Sequence, residues 1–356
     1  MVMHIFNSDS IGAGIRAYLG QDDALFVKSG VLVASTDGST TIRAGGFGTV
    51  LHIDGQVISE NLCLDIGTTA PSLYMSIYLG ESSVVRSYLG TAIALHFAEH
   101  TIEMHGKVFA TLDGLQLSLG DGAESYIANA GTIDADLRGI FLETLDDVFL
   151  ENTGMINGDT AGIWVQGTSG DVWITNSGTI KSSTSGITNI GDGALHIENS
   201  GLIRLGAFLG DQSDIYDGRL GRITGTLVAG AGDDTVKGGT SDESFQGGAG
   251  RDLLSGGGGA DQFIYVNAGD STLEVSGRDL ISDFSHKGRD IIDFSTLIPG
   301  ELDFVGKSHF SGADEIRYQI SGKSTFVYLN LDADPEAEMA IQFAGKIKFV
   351  ESDFSI

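Results

Sequence analysis

Through its first two hundred residues the chain alternates apolar and polar positions in short runs, each closed by a turn-forming pair. Four segments share one pattern: IANAGTI (127–133), LENTGMI (150–156), ITNSGTI (174–180) and IENSGLI (197–203). Their asparagines, Asn129, Asn152, Asn176 and Asn199, are spaced 23, 24 and 23 residues apart. Weaker copies lie upstream: FVKSGVL (26–32), LHIDGQV (51–57), YLGESSV (78–84) and IEMHGKV (102–108). A second row runs parallel through Gly114-Leu115, Gly139-Ile140, Gly162-Ile163 and Gly186-Ile187. Short, β-branched, alternating runs read as strands. A strand pattern returning at this interval predicts a right-handed parallel β-helix over residues 1–210, with two or three strands per coil. About eight coils at roughly 4.8 Å each are expected. The asparagines should stack in a ladder, each amide bonding the next, as a structural device.

From Ala229 the period shortens to nine. The chain reads AGAGDDTVK, GGTSDESFQ, GGAGRDLLS and GGGGADQFI without a gap over 229–264. Each nonapeptide supplies a six-residue turn and a three-residue strand, whose inward residues are Val236, Phe245, Leu254 and Phe263. Turns then return to the same side every two repeats, and the acids sort into two columns. One holds Asp234, Asp252 and Asp270; the other holds Glu243, Asp261 and Asp279. The last two come from YVNAGDSTL (265–273) and EVSGRDLIS (274–282), which have lost most glycines but keep an acid in phase, together with Gly277 and an inward Ile281. Ca²⁺ is a hard ion that takes six to eight oxygens. Facing carboxylates and turn carbonyls can supply them. The turns at Gly230, Gly232, Gly239, Gly247, Gly248, Gly250, Gly256, Gly257 and Gly259 need backbone angles that side chains disfavour. The second repeat departs from the pattern, with Ser241 in place of a glycine and Glu243 in place of aspartate. A calcium-binding β-roll is therefore expected over 211–282, followed by a separate region over 283–356.

Charge agrees with that chemistry. The chain carries 48 Asp and Glu against 20 Lys and Arg, a formal net charge of −28. Such a chain repels nucleic acid and anionic lipid and attracts divalent cations. The 52 glycines follow no Gly-X-Y period, so collagen is excluded. Cys63 is the single cysteine and has no internal disulfide partner. No apolar run is long enough for a transmembrane segment. The first residues, MVMHIFNSDSIGAG, lack the basic and apolar regions of a cleavable signal peptide. An export address is accordingly expected elsewhere.

Residues 229–356 resemble the C-terminal domain of serralysin-type RTX proteins. The resemblance rests on GGGGADQFIYVNAGDST, on GRDLISDFSHKGRDIIDFSTL (277–297), and on LNLDADPEAEMAIQFAG, where the family's Asp-Gly-Asp-Gly run is degraded. The closing SDFSI is similar to the family's acid-plus-hydrophobic tag, with Ser355 as a departure. The resemblance implies an extracellular bacterial protein with a β-sandwich-like cap, exported through the type I secretion machinery by an uncleaved C-terminal signal and folded outside the cell by calcium.

The serralysin protease motif His-Glu-x-x-His is absent. The inverted form occurs as His96-Phe97-Ala98-Glu99-His100, with His105 nearby. It leads into a strand row, where residues four apart do not converge on one ion, so it reads as coincidence. The expected function is calcium-dependent, non-enzymatic binding or surface display, with an extracellular polysaccharide or a cell surface as candidate partner. The alternative is a polysaccharide lyase or epimerase with its groove on the β-helix. That chemistry needs a base, an acid and a charge-neutralising group on one face. Asp134, Asp136, Arg138, Tyr126 and His196 are the nearest candidates, but they form no motif. No catalytic residue is assigned.

Overall fold

Inward positions along the first two hundred residues are nearly all aliphatic, and each strand lies in register beside its equivalent one coil away. A computed structural model describes residues 2–45, 48–67, 74–96, 99–118, 124–143, 145–167, 169–297, 300, 302–332 and 334–356. The described residues hold strands, turns and three single-turn 3₁₀ segments, so the fold is all-β. The chain divides into two compact units: residues 1–196 with 201–205, and residues 197–200 with 206–356.

The first unit is a parallel solenoid with three strands per coil. One coil runs through Ser125–Asn129, Thr132–Ala135 and Arg138–Glu143; the next runs through Val148–Asn152, Met155–Gly158 and Ala161–Gln166. On the first face Ile77, Ile102, Ile127, Leu150 and Ile174 align coil by coil. On the third, Leu115, Ile140, Ile163 and Ile187 do the same. All are buried. Each such side chain contributes roughly 1.5–3 kcal/mol. The column is therefore the main source of this unit's stability.

The Asn-x-Gly motif is the corner between the first and second faces. Asn129 Nδ2 donates to Asn152 Oδ1 at 2.8 Å, and Asn152 Nδ2 donates to Asn176 Oδ1 at 2.7 Å. The buried amides thus bond one another along the axis, with Asn129 Oδ1 at the start of the ladder left without a partner among the described residues. The glycine is required because the coils touch there. A Cβ on Gly154 would stand 2.1 Å from the carbonyl oxygen of Gly131, and one on Gly178 would stand 2.1 Å from that of Gly154.

Within the second unit the coil shrinks to two strands from Thr235 onward. Thr235–Lys237 pairs with Leu253–Ser255, and Ser244–Ala249 with Gln262–Ile264, all parallel. Val236 faces Leu254 and Phe245 faces Phe263, so the inward residues stack every second nonapeptide. The strand Leu280–Ile281 then joins the row of Leu253–Ser255, while Ile291–Asp293 joins that of Gln262–Ile264.

The region expected as a sandwich-like cap takes another form. Glu315–Ser321, Ser324–Asn330 and Met339–Ala344 make an antiparallel meander. Its last strand pairs in parallel with Leu280–Ile281, in the plane of the roll's own sheet. Phe354–Ser355 likewise extends the other sheet beside Ile292–Asp293. The reason is the open end of the roll. Its final strands carry unpaired backbone donors and acceptors, which added strands satisfy and a face-to-face layer would not. Phe284, Phe343, Phe349 and Phe354 close the apolar core there, with neighbouring ring centroids 4.9–5.6 Å apart.

Candidate metal centre

The nonapeptide turns bring carboxylates into two axial rows, and the aspartates are pinned by the backbone of a neighbouring turn. In the first row Asp234 Oδ1 accepts the N–H of Asp214 at 2.7 Å, Asp252 Oδ1 that of Asp234 at 3.0 Å, and Asp279 Oδ1 that of Asp252 at 2.9 Å. In the second, Asp261 Oδ1 accepts the N–H of Glu243 at 3.0 Å and Asp290 Oδ1 that of Asp261 at 3.2 Å. Glu243 also accepts the N–H of Gly239 through Oε2 at 2.8 Å. One oxygen of each aspartate is thereby used to set the row, while that of Glu243 closes its own turn.

The other oxygen is the informative one. Asp234 Oδ2, Glu243 Oε1, Asp252 Oδ2 and Asp261 Oδ2 are buried with no hydrogen-bond partner among the described residues. A buried, unpaired carboxylate oxygen costs several kcal/mol unless a cation or proton meets it. Burial pushes Asp234 up to about 8, and Asp252 and Asp261 up to about 7; neighbouring acids add to each shift. Glu243, Asp279 and Asp290 are raised in the same direction, burial again being the first cause. Without a counter-charge the rows favour protonated acids.

Glycines keep space beside those oxygens. Gly230, Gly232, Gly248, Gly250, Gly257 and Gly259 have φ between +85° and +139°, where other residues are strained. A Cβ on Gly247 would stand 2.2 Å from Asp252 Oδ2, and one on Gly256 would stand 2.4 Å from Asp261 Oδ2. Unpaired hard oxygens and an open cradle are what Ca²⁺ requires. The residues present fit that ion. Asp234 and Asp252, with Gly230, Gly232, Gly247, Gly248 and Gly250, would hold it on one side of the roll. Glu243 and Asp261, with Gly239, Gly256, Gly257 and Gly259, would hold it on the other. A bound Ca²⁺ supplies the positive charge that lets these acids ionise inside the protein.

The structure does not place all predicted acids in the predicted columns. Asp270 accepts no backbone N–H from either row, although its charge helps to raise Asp252 and Asp279. It caps the 3₁₀ turn Ala268–Asp270, accepting the N–H groups of Val266 and Asn267 at 2.9 and 3.0 Å. Residues 265–273 leave the roll because they lack the glycines that hold a turn in the stack. Asp279 consequently follows Asp252, 27 residues earlier, instead of Asp261. Two row members went unassigned from the sequence. Asp290 lies in GRDIID, the Gly-x-Asp-x-apolar half of a repeat, and Asp214 in SDIYD, whose Tyr216 is fully buried at the inward position.

A second acid group lies on the meander loop. One carboxylate oxygen each of Asp332, Asp334 and Glu338 falls within 4.8 Å of the others. The inverted histidine motif does not assemble. His100 points into the core, His96 pairs with Asp65 at 3.5 Å, and His105 packs against Tyr78 on the outside. Phe97 and Ala98 lie outside the described residues.

The candidate catalytic residues are also dispersed. Arg138 is held by Asp113 at 2.6 and 3.0 Å and lies over Phe141. Asp134 accepts from Asn157 at 2.6 Å and, with Asp136, borders a hollow beside Arg86 and Tyr88. Tyr126 and His196 stand at opposite ends of an aromatic row on another face.

A family model described as the serralysin C terminal of M10 peptidases matches residues 98–356. No curated protein sequence matches the chain. Among solved structures, the AlgE6R3 subunit of the Azotobacter vinelandii mannuronan C5-epimerase is 27% identical, over 38% of this chain and 71% of that one, with a TM-score of 0.30. The AlgE6R2 subunit of the same enzyme is 22% identical, over 41% of this chain and 89% of that one, with a TM-score of 0.31.

Proposed function

The chain belongs to the serralysin C-terminal family, and from that premise we propose that it is a secreted bacterial protein whose second unit folds around Ca²⁺ after export. The buried carboxylate oxygens of Asp234, Glu243, Asp252 and Asp261 carry this reading, because no group among the described residues satisfies them. In the cell, where free calcium is scarce, sites of extracellular affinity, about 10⁻⁴–10⁻³ M, stay empty. The rows then repel and the unit stays loose enough to thread through a type I exporter. Outside, calcium drives folding and makes passage one-way. A ligand at 100 times its dissociation constant adds about 2.7 kcal/mol to the native state.

The β-solenoid of the first unit is the binding element in this reading, and its role is non-enzymatic. Of the cations near the candidate acids, Arg138 is spent on Asp113 and Phe141, and Arg86 lies over Phe109. Circular dichroism and calorimetry in EDTA and then in Ca²⁺ test the proposal. Calcium should add a cooperative transition assigned to residues 206–356. Identical strand signal and melting in both conditions would overturn it.

A further inference from the structure

One outer face of the first unit carries a row of stacked rings. Tyr126 and Phe149 lie 5.0 Å apart at 10°, Phe149 and Trp173 4.8 Å at 12°, and Trp173 and His196 5.0 Å at 11°. Within the row the rings cover one another's faces. At its start Tyr126 aligns with Thr101, a small residue, so one face of Tyr126 is left open and the side chain is 46% exposed. Two positions along the same strands, Glu103, Ala128 and Glu151 align in successive coils. Ala128 leaves a gap between the two exposed carboxylates, neither of which has an ion pair among the described residues. Glu103, Tyr126, Ala128, Phe149, Glu151 and Trp173 line a trough of about 370 Å³.

We propose that this trough binds the amino-sugar units of a cationic, glucosamine-type polysaccharide, an inference that rests on the reading of the first unit as a binding surface. The open face of Tyr126 suits the C–H face of a pyranose ring. The gap at Ala128 suits an ammonium group set between Glu103 and Glu151, and a cation over the ring gains further. A polyuronate is repelled by the same two acids and by the net charge of −28. A peptide would lack main-chain partners, since the strands flooring the trough spend their backbone groups on each other.

Isothermal titration of the full calcium-loaded chain with a glucosamine hexamer, near pH 6 and at low salt, tests this. The parallel arms are the N-acetylglucosamine hexamer, a mannuronate oligomer and a basic peptide of equal charge. The glucosamine hexamer should bind and change the fluorescence of Trp173, which lines the trough. Tyr126→Ala should weaken it at least tenfold, and Tyr126→Phe should retain binding. The double exchange Glu103→Gln, Glu151→Gln should remove the preference for the amine over the N-acetyl form. No heat with the glucosamine hexamer, equal binding of the basic peptide, or indifference to these exchanges in variants that melt like the parent would overturn the inference. If another glycan binds while the glucosamine hexamer does not, only the sugar class fails. If no glycan or cell-surface material binds at all, the binding-surface reading fails with it.

Discussion

Acid should replace calcium in folding the second unit. Asp234 rises from an ordinary 3.8 to about 8 on burial, and its neighbour Asp252 to about 7. Each pH unit of such a rise corresponds to about 1.4 kcal/mol. Keeping Asp234 ionised in the calcium-free fold therefore costs roughly 6 kcal/mol, and Asp252 roughly 4 kcal/mol. Because the two share one row their costs overlap, and the total is on the order of 6–10 kcal/mol, comparable to the whole stability of a domain. The folded state binds more protons than the unfolded chain between pH 4 and 8. The penalty is thus absent below about pH 4, grows through that window, and is complete above about pH 8. The perturbation is a shift from pH 8 to pH 5 in EDTA, without calcium. The assay is thermal unfolding followed in parallel by far-ultraviolet circular dichroism and tryptophan fluorescence. The chain's two tryptophans, Trp164 and Trp173, both lie in the first unit. A transition visible by dichroism and silent in fluorescence therefore belongs to the second. It should be missing at pH 8 in EDTA, present at pH 5 in EDTA, and restored at pH 8 by Ca²⁺. A silent transition equally strong at both pH values in EDTA, or weaker at pH 5, would refute the reasoning.

The first unit should respond to acid in the opposite sense. Burial lowers His100 from 6.5 to about 3, so the unfolded chain binds the extra proton and stability falls as pH drops from about 6.5 toward 3. The fluorescence-detected melting temperature should show this fall, and His100→Leu should flatten it. Asp279→Asn and Asp290→Asn should weaken calcium binding in calorimetry, because each removes a carboxylate that sets a row. Asn152→Ala breaks the amide ladder on both sides and should cost about 2–3 kcal/mol in denaturant unfolding of the first unit. Deleting residues 351–356 in a strain with a matching type I exporter should stop secretion. If Phe354 serves only to extend the strand row beside Ile292, export should continue with a less stable product.

Periodicity alone was enough to pair Asp234 with Asp252 and Glu243 with Asp261, since an unbroken nine-residue repeat leaves one way to stack. It was enough, too, for the asparagine ladder and the glycine beside it. Both follow from identical residues returning at one interval, which puts each directly over its predecessor. The aromatic row was equally readable, because Tyr126, Phe149 and Trp173 keep the spacing of the asparagines, but apolar residues in a strand carry no mark of the face they occupy until the coil is closed. Where the repeat decays, local pattern no longer sets the register. Residues 265–273 keep an acid in phase yet leave the stack, and that excursion moves Asp279 into the row of Asp252 and lets Asp290 follow Asp261. Only the tertiary structure decides this, because the register depends on which backbone groups the last coil leaves unpaired. The same cause sets the end of the chain. The meander and Phe354–Ser355 join the roll's sheets edge to edge, satisfying hydrogen bonds that no stretch of sequence displays by itself.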